Sequence, residues 1–239
     1  MQSYEQFIAS ISFRFIRPWM PLPVAFACWM QRGHEAWREA YNLRVKGDYR
    51  NVRCQIRPLC ILPRMSTIAI GCLLNEAVHR MDPAHAYVNV GVWYGFSFFC
   101  GACGNPRKTC IAVDNFSQFG APREDFLREF ADRTSECQQF HDMDYRGYFA
   151  RTHRGPIGVY FYDGEHTYVH QMEGLRLAEP HFAPGCIIFV DDTNWDEPRR
   201  ATEDFLARHP GEYETLLNVR TSGNRHPTWW NGLMVLRKI

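Results

Sequence analysis

Five short apolar or β-prone runs punctuate the chain from residue 86 onward: AYVNV (Ala86 to Val90), TCIAV (Thr109 to Val113), CQQFH (Cys137 to His141), IGVYFY (Ile157 to Tyr162) and CIIFV (Cys186 to Val190). CQQFH is the weakest of them. Runs this short and this continuously apolar suit parallel strands covered on both faces, where no side of the sheet meets water. Helical signals lie between them. APREDFLREFADRTSE places Pro122 near a first turn with Glu124 and Asp125 behind it, and TYVHQMEGLRLAEPHF is closed by Pro184 and Gly185. Ahead of the first run, Ser66 is positioned to cap a helix over STIAIGCLLNEAVHR. After the helical EPRRATEDFLARH, the segments YETLLNVRT and NGLMVLRKI are joined only by a polar loop, which predicts a hairpin. The expected fold is therefore α/β: a doubly wound, mostly parallel, seven-stranded Rossmann-like sheet ending in an antiparallel C-terminal hairpin.

Residues 1–65 are rich in Arg and aromatics and read as an N-terminal helical or irregular cap, leaving 66–239 as the main domain. The 239 residues suit one domain, and 46% hydrophobic against 22% charged residues excludes a disordered chain. With 27 basic and 26 acidic residues there is no global field to attract nucleic acid or an acidic membrane, so a small substrate is expected and nucleic acid is not. Phe15 to Met30 is apolar, yet Arg17, Pro18, Pro21 and Pro23 interrupt it short of the roughly 18 residues that a span requires. Nine cysteines, an odd number and mostly inside apolar runs, point to reduced core thiols and a cytoplasmic setting. Cys100 and Cys103 form a lone CxxC without a partner at zinc-finger spacing, and core packing is the expected role. An aromatic N-terminal segment is also a surface on which a homo-oligomer could be built.

In an open parallel sheet, ligands bind beyond the carboxyl ends of the strands. The residues that follow each run are therefore the candidates. After the first comes NVGVWYGFS, where Gly91 and Gly95 allow a tight turn and a helix beginning near Ser97 offers free amides. The spacing is GxxxG, not the GxGxxG of dinucleotide folds. Asp114 follows the second run and is placed to accept from ribose hydroxyls, while Asp142 or Asp144 in HDMD can accept from an exocyclic amine such as that of adenine. Asp163 follows the fourth run, and Asp191 with Asp192 ends the fifth. Three carboxylates meeting on one sheet edge cannot all ionise unanswered, and a hard divalent cation such as Mg²⁺ would accept them as oxygen ligands. His166, three residues after Asp163, titrates near neutrality and can take a hydroxyl proton. Among the aromatics Trp93, Tyr94, Tyr162, Tyr168, Trp195, Trp229 and Trp230, only Trp195 is singled out as a substrate-pocket wall, because it lies just beyond the acidic pair.

Taken together, YVNVGVWYGFS, CIAVDNF, FHDMD, VYFYDGEHTY and FAPGCIIFVDD resemble a class I S-adenosylmethionine-dependent methyltransferase of the methyltransferase domain 24 group. They are also similar to the metal-dependent sugar and macrolide O-methyltransferases. The resemblance covers roughly residues 66 to 239. It implies that Gly91 to Gly95 cradle the methionine part of S-adenosylmethionine, that Asp114 holds the ribose, and that Asp142 lies beside adenine. It also implies Asp163, Asp191 and Asp192 as metal ligands, with the metal lowering the pKa of a substrate hydroxyl. Asn89 stands where the family usually carries Glu or Asp, so the anchoring of the cofactor's amino-acid end departs from the family pattern. The expected activity is methyl transfer to a hydroxyl of a small molecule, with His166 and Asp163 as catalytic residues and S-adenosylmethionine and Mg²⁺ as cofactors. The competing expectations are a metal-independent methyltransferase using Asp163 or His166 as base, a nicotinamide-dependent oxidoreductase, and a non-catalytic binding module on the same fold.

Overall fold

The computed structural model describes residues 3–14, 49–120, 122–226 and 228–239. The apolar Phe15 to Met30 stretch and Cys28 lie outside the described residues. The chain begins with helix α1 (Tyr4–Arg14), then α2 (Tyr49–Ile56), a 3-10 turn (Arg57–Ile61) and α3 (Ile68–Arg80). Strands and helices then alternate: β1 (Ala86–Val90), α4 (Phe96–Ala102), β2 (Thr109–Asp114), α5 (Arg123–Arg133), β3 (Gln138–Asp142), the short α6 (Tyr145–Gly147) with a π-type turn (Tyr148–Thr152), and β4 (Ile157–Tyr162). They continue as α7 (Tyr168–Ala178), a 3-10 turn (Glu179–His181), β5 (Phe182–Asp191), α8 (Asp196–Arg208), β6 (Tyr213–Val219) and β7 (Leu233–Lys238).

The strands form one seven-stranded sheet in the order β3-β2-β1-β4-β5-β7-β6. β1 to β5 are mutually parallel, and β7 pairs antiparallel with both β5 and β6. The expected doubly wound sheet and C-terminal hairpin are thus what the chain forms. Side chains alternate across the sheet as strand geometry demands. Tyr87 points to a layer containing α3 and α4, whereas Val88 and Val90 point to a second cluster with Tyr148, Leu175 and Phe205. β3 is an edge strand, and within it only Gln138 is buried. Its exposure explains why CQQFH reads weakly as a strand: an edge strand has less need of apolar residues than a covered one.

Two local expectations are corrected. Thr67, not Ser66, caps α3: its backbone is extended and its Oγ1 accepts from the Ile70 amide at 3.3 Å, the geometry of an N-cap, and Ser66 lies one residue too early to reach it. Pro184 and Gly185 do not close α7, which ends at Ala178; they lie exposed inside β5, which starts at Phe182. The start of β5 tolerates a proline because the β4 pairing is irregular there, with its register shifted between Ile157 and Val159.

The described parts of the N-terminal region are packed into the main core. Phe7, Ile8 and Ile11 of α1, together with Leu59 and Leu62, join the same apolar cluster as Phe98, Phe126 and Trp229. Tyr4 adds a hydrogen bond from its hydroxyl to the Leu73 carbonyl at 3.0 Å. Among the described residues no helix is long and apolar enough to cross a membrane. Because Phe7 is 2% exposed, Phe7→Ala should lower the free energy of unfolding by about 3–5 kcal/mol, measured by urea denaturation. A change under 1 kcal/mol would mean that α1 is not part of the cooperative fold.

Candidate active site

Register decides which residues meet. Val90 of β1 stands beside Val113 of β2 and Tyr162 of β4, and Tyr162 stands beside Val190 of β5. The next residue on each strand is therefore Gly91, Asp114, Asp163 and Asp191, in one row along the carboxyl edge. β1 and β4 are adjacent but not consecutive, so this row sits where the strand order reverses. A cleft opens there with about 1030 Å³ of empty space, and its walls include Gly91, Ser97, Asp114, Asp163 and His166.

Gly91 has a φ of +77°, and a Cβ on it would fall 2.0 Å from the Asp163 carbonyl oxygen. Only glycine allows the end of β4 to come this close. Asp163 is fastened to the same turn by its amide, which donates to the Val90 carbonyl at 2.8 Å. Asn89 lies beneath the turn, fully buried. Its Oδ1 accepts from Ser97 Oγ at 2.9 Å and Tyr87 OH at 3.2 Å, and its Nδ2 donates to the Gly91 and Val90 carbonyls at 3.3 and 3.4 Å. Gly95 is left-handed and precedes α4, and Ser97 lies on the cleft wall. Asp114 clamps the loops on either side. Its Oδ2 accepts from the Val92 and Trp93 amides at 2.8 and 3.0 Å, and its Oδ1 accepts from the Phe116 amide at 2.7 Å.

Asp142 pairs in register with Asp114 but is engaged elsewhere, by an ion pair with Arg123 at 2.6 Å. Asp144, the other acid of HDMD, forms part of the cleft wall and caps α6 through the Arg146 amide at 2.8 Å. Arg64 and Ser66, in the segment before α3, line the cleft too, with the Arg64 guanidinium 5.3 Å from the Phe96 ring centroid. The linear sequence marks Ser66 only as a helix cap and does not mark Arg64, because their place at the cleft depends on how the segment before α3 crosses the sheet edge.

The structure brings Asp163, Asp191 and Asp192 into mutual electrostatic range, with His166 beside Asp192 and Asp163. His166 Nε2 stands 3.0 Å from Asp192 Oδ2 and 3.7 Å from Asp163 Oδ1. Asp192 has a left-handed backbone, φ +56°, and its Oδ1 accepts from Asn231 Nδ2 at 2.6 Å. Asp191 is 2% exposed, and its Oδ1 accepts from the Asp192 amide at 2.9 Å. Burial first, then the neighbouring charges of Asp192 and Asp114, pushes the Asp163 carboxyl well above the usual range. Asp191 is raised in the same way by burial, Asp192 and Asp163, against one backbone hydrogen bond that lowers it. Asp163 keeps 30% of its side-chain surface open, so water relieves its shift more than it relieves that of Asp191. Burial raises Asp192 less, because His166 and Asn231 favour its charged form. His166 is lowered by burial, against the pull of Asp192 and Glu165, which keeps its imidazole neutral at pH 7. Its Nδ1 is buried without a hydrogen-bond partner.

As oxygen donors the three carboxylates suit a hard divalent cation, and among the described residues no Arg or Lys perturbs them. Among the described residues, however, no three His, Cys, Asp or Glu side chains are gathered as a ready metal-holding group. In this arrangement both Asp192 oxygens are engaged, by His166 and Asn231, and one Asp191 oxygen is turned to a backbone amide. Trp195 is 40% exposed and packs edge-on against His166 with ring centroids 5.2 Å apart. Trp229 and Tyr162 are core residues, 1% and 0% exposed, and Trp230 is buried as well. Cys100 is buried and Cys103 half-buried, both as free thiols.

Residues 88–193 match the methyltransferase domain 24 family, described as a methyltransferase domain. Those residues carry a methyltransferase domain. The match agrees with the resemblance to class I methyltransferases drawn from the sequence. Solved structures share the fold of this methyltransferase. The O-methyltransferase from Bacillus cereus in complex with SAH superposes with a TM-score of 0.57 at 12% identity, covering 91% of this chain and 99% of that one. The O-methyltransferase TomG from Streptomyces achromogenes, involved in tomaymycin synthesis and in complex with SAM, gives 0.53 at 15% identity, covering 81% and 90%. A candidate O-methyltransferase from Klebsiella pneumoniae gives 0.57 at 13% identity, covering 88% and 99%. None of the curated proteins matches the chain by sequence.

The raised carboxyls carry a definite pH sign. A carboxyl whose folded pKa exceeds its unfolded value binds more protons folded than unfolded, so it costs stability as pH rises from the ordinary carboxylate range through the raised value. In EDTA-treated methyltransferase, Asp191→Asn should remove this cost and raise stability at pH 8 by about 1–2 kcal/mol, or some 2–4 °C of melting temperature per kcal/mol. The gain should vanish toward pH 4. A variant that melts lower than wild type at pH 8 would show the carboxylate to be compensated.

Proposed function

We propose that this methyltransferase uses S-adenosylmethionine to methylate a hydroxyl of a small molecule, with Mg²⁺ assisting. The observation that carries the reading is the row of Gly91, Asp114 and Asp163 at the strand-order reversal, with a buried, uncharged His166 beside it. Two of the structural relatives hold S-adenosylmethionine or S-adenosylhomocysteine. On this reading the Gly91 to Gly95 turn and Ser97 receive the methionine end, with Asn89 bracing the turn from below. Asp114 keeps lone pairs free for the ribose hydroxyls while holding its two loops, and Asp144, on the cleft wall just past β3, serves the adenine side in place of the ion-paired Asp142.

The acceptor oxygen attacks the sulfonium methyl carbon, the carbon–sulfur bond breaks, and S-adenosylhomocysteine leaves with both electrons of that bond. His166, neutral and with Nδ1 unpartnered, takes the proton that the hydroxyl loses. Asp163, Asp191 and Asp192 are the residues that would hold Mg²⁺, which supplies positive charge to lower the acceptor's pKa and to answer their repulsion. Trp195 gives the acceptor an apolar surface beside His166. The close pairing of His166 with Asp192 favours a second reading, in which this dyad alone is the base and no metal takes part.

Titration calorimetry with S-adenosylmethionine, followed by mass-spectrometric assay on a panel of polyols, phenols and polyketides, tests the reading. Binding and a 14 Da gain on an acceptor hydroxyl are expected; absence of binding would sink the proposal. Loss of activity in EDTA with recovery in Mg²⁺ favours the metal-assisted form, and indifference favours the dyad. His166→Ala should reduce kcat about 10²–10⁴-fold with little change in the KM for S-adenosylmethionine.

A further inference from the structure

A second concavity lies at the other end of the sheet, where β1 begins at Ala86 and β2 at Thr109. Its origin is the link from β3 to β4, which holds only the three-residue α6 and the five-residue π-type turn, whereas α5 and α7 run eleven residues each. So short a crossover leaves part of one sheet face uncovered. Between that face and the turn is a cavity with about 730 Å³ of empty space. Register and strand alternation build its floor: Ala86 stands beside Thr109 and Ile111 beside Gln139, with His141 two residues further along β3. His85 and Arg154 belong to its wall. We propose that this cavity binds a phosphate group, free or as the monoester of a small molecule, held by Arg154, His85 and His141.

Three observations carry the proposal. The fold makes no use of the polar groups on the floor and wall: among the described residues the side chains of His85, Thr109, Gln139 and His141 have no hydrogen-bond partner, so their donors and acceptors are open to a ligand. The local field is positive. Among the described residues no Asp or Glu lines the cavity, and the three histidines around it and behind the turn are all disfavoured in their charged form: His141 by burial, His153 by burial and then by His181 and Arg154, His181 by burial and then by Arg154, with no carboxylate offsetting any of them. An oxyanion would answer that charge. Finally, Arg154 is already placed. Its Nη1 donates to the His153 carbonyl at 2.5 Å and its Nη2 to the Arg151 carbonyl at 2.8 Å, contacts that orient the guanidinium without neutralising it and leave its other N–H donors for phosphate oxygens. The imidazoles of His85 and His141 add one N–H each, while Ala86, Ile111 and Pro156 offer an apolar surface to the body of a monoester. The site lies on the opposite edge of the sheet from Asp114 and Asp163, so it stands apart from the methyl-transfer reading.

The test is a titration of the full chain, its histidines ¹⁵N-labelled, with inorganic phosphate and separately with ribose 5-phosphate, against sodium chloride at matched ionic strength. The His85 and His141 signals should shift to saturation with a midpoint of about 1 mM or below, while His166 and His170 of the cleft stay in place. Tighter binding of ribose 5-phosphate identifies a monoester site, and equal binding a site for free phosphate. Arg154→Met should weaken binding about tenfold or more. His141→Phe keeps the ring against Tyr148 and removes its nitrogens; it should weaken binding about threefold or more and decides the matter if Arg154→Met does not fold. Shifts that never saturate, shifts that chloride reproduces, shifts confined to His166 and His170, or folded variants that bind as wild type would each overturn the proposal.

Discussion

Three carboxylates stand together at the carboxyl ends of β4 and β5, and among the described residues no arginine or lysine perturbs them. Burying like charges this way is unfavourable unless something answers them, and the rest of the site is arranged around that requirement. Asn231 and His166 answer Asp192, a backbone amide answers Asp191, and Asp163 opens to the cleft. The strain that accompanies the arrangement lies at the same place: Asp192 is left-handed, and the Gly91 turn permits an approach of Asp163 that no other residue would allow.

The sheet was legible because burial on two faces leaves a direct trace, and the site was legible to the extent that it inherits the sheet's register. Asp114, Asp163 and Asp191 could be read from the sequence as residues of one sheet edge because each stands at the end of a strand that is level with its neighbours. Where a residue's place depends on something other than register, the sequence is mute. Asn231 sits on a long loop in another part of the chain, and its contact with Asp192 depends on Thr67 and Trp229 fixing that loop. Arg64 and Ser66 reach the cleft by the path of the segment before α3. Local errors have local causes too. Ser66 and Thr67 are chemically equivalent as caps, and only the backbone conformation chooses between them.

The two acids of HDMD show the same limit at finer grain. Consecutive side chains on a strand point to opposite faces, but Asp144 lies past the end of β3, where that alternation no longer applies. Arg123, arriving from the start of α5, takes Asp142 into an ion pair, while the short α6 turns Asp144 onto the cleft wall. The resemblance to the family implies an adenine side here, and helix placement leaves Asp144 rather than Asp142 on the cleft wall.

Asn89 is the point at which the chain departs from the family pattern, and its surroundings supply a physical reason. An acid there could accept from Ser97 and Tyr87 as the amide oxygen does, but its second oxygen would face the Val90 and Gly91 carbonyls, acceptor against acceptors, in a fully buried position. The amide satisfies both sides and adds no charge to an edge that already carries Asp114, Asp163, Asp191 and Asp192. In the proposed reaction the donor arrives as a sulfonium cation and leaves as a neutral thioether, so the attraction of these acids favours the substrate state of the cofactor and fades as product forms. Replacing an acid by Asn89 weakens that attraction at the methionine end.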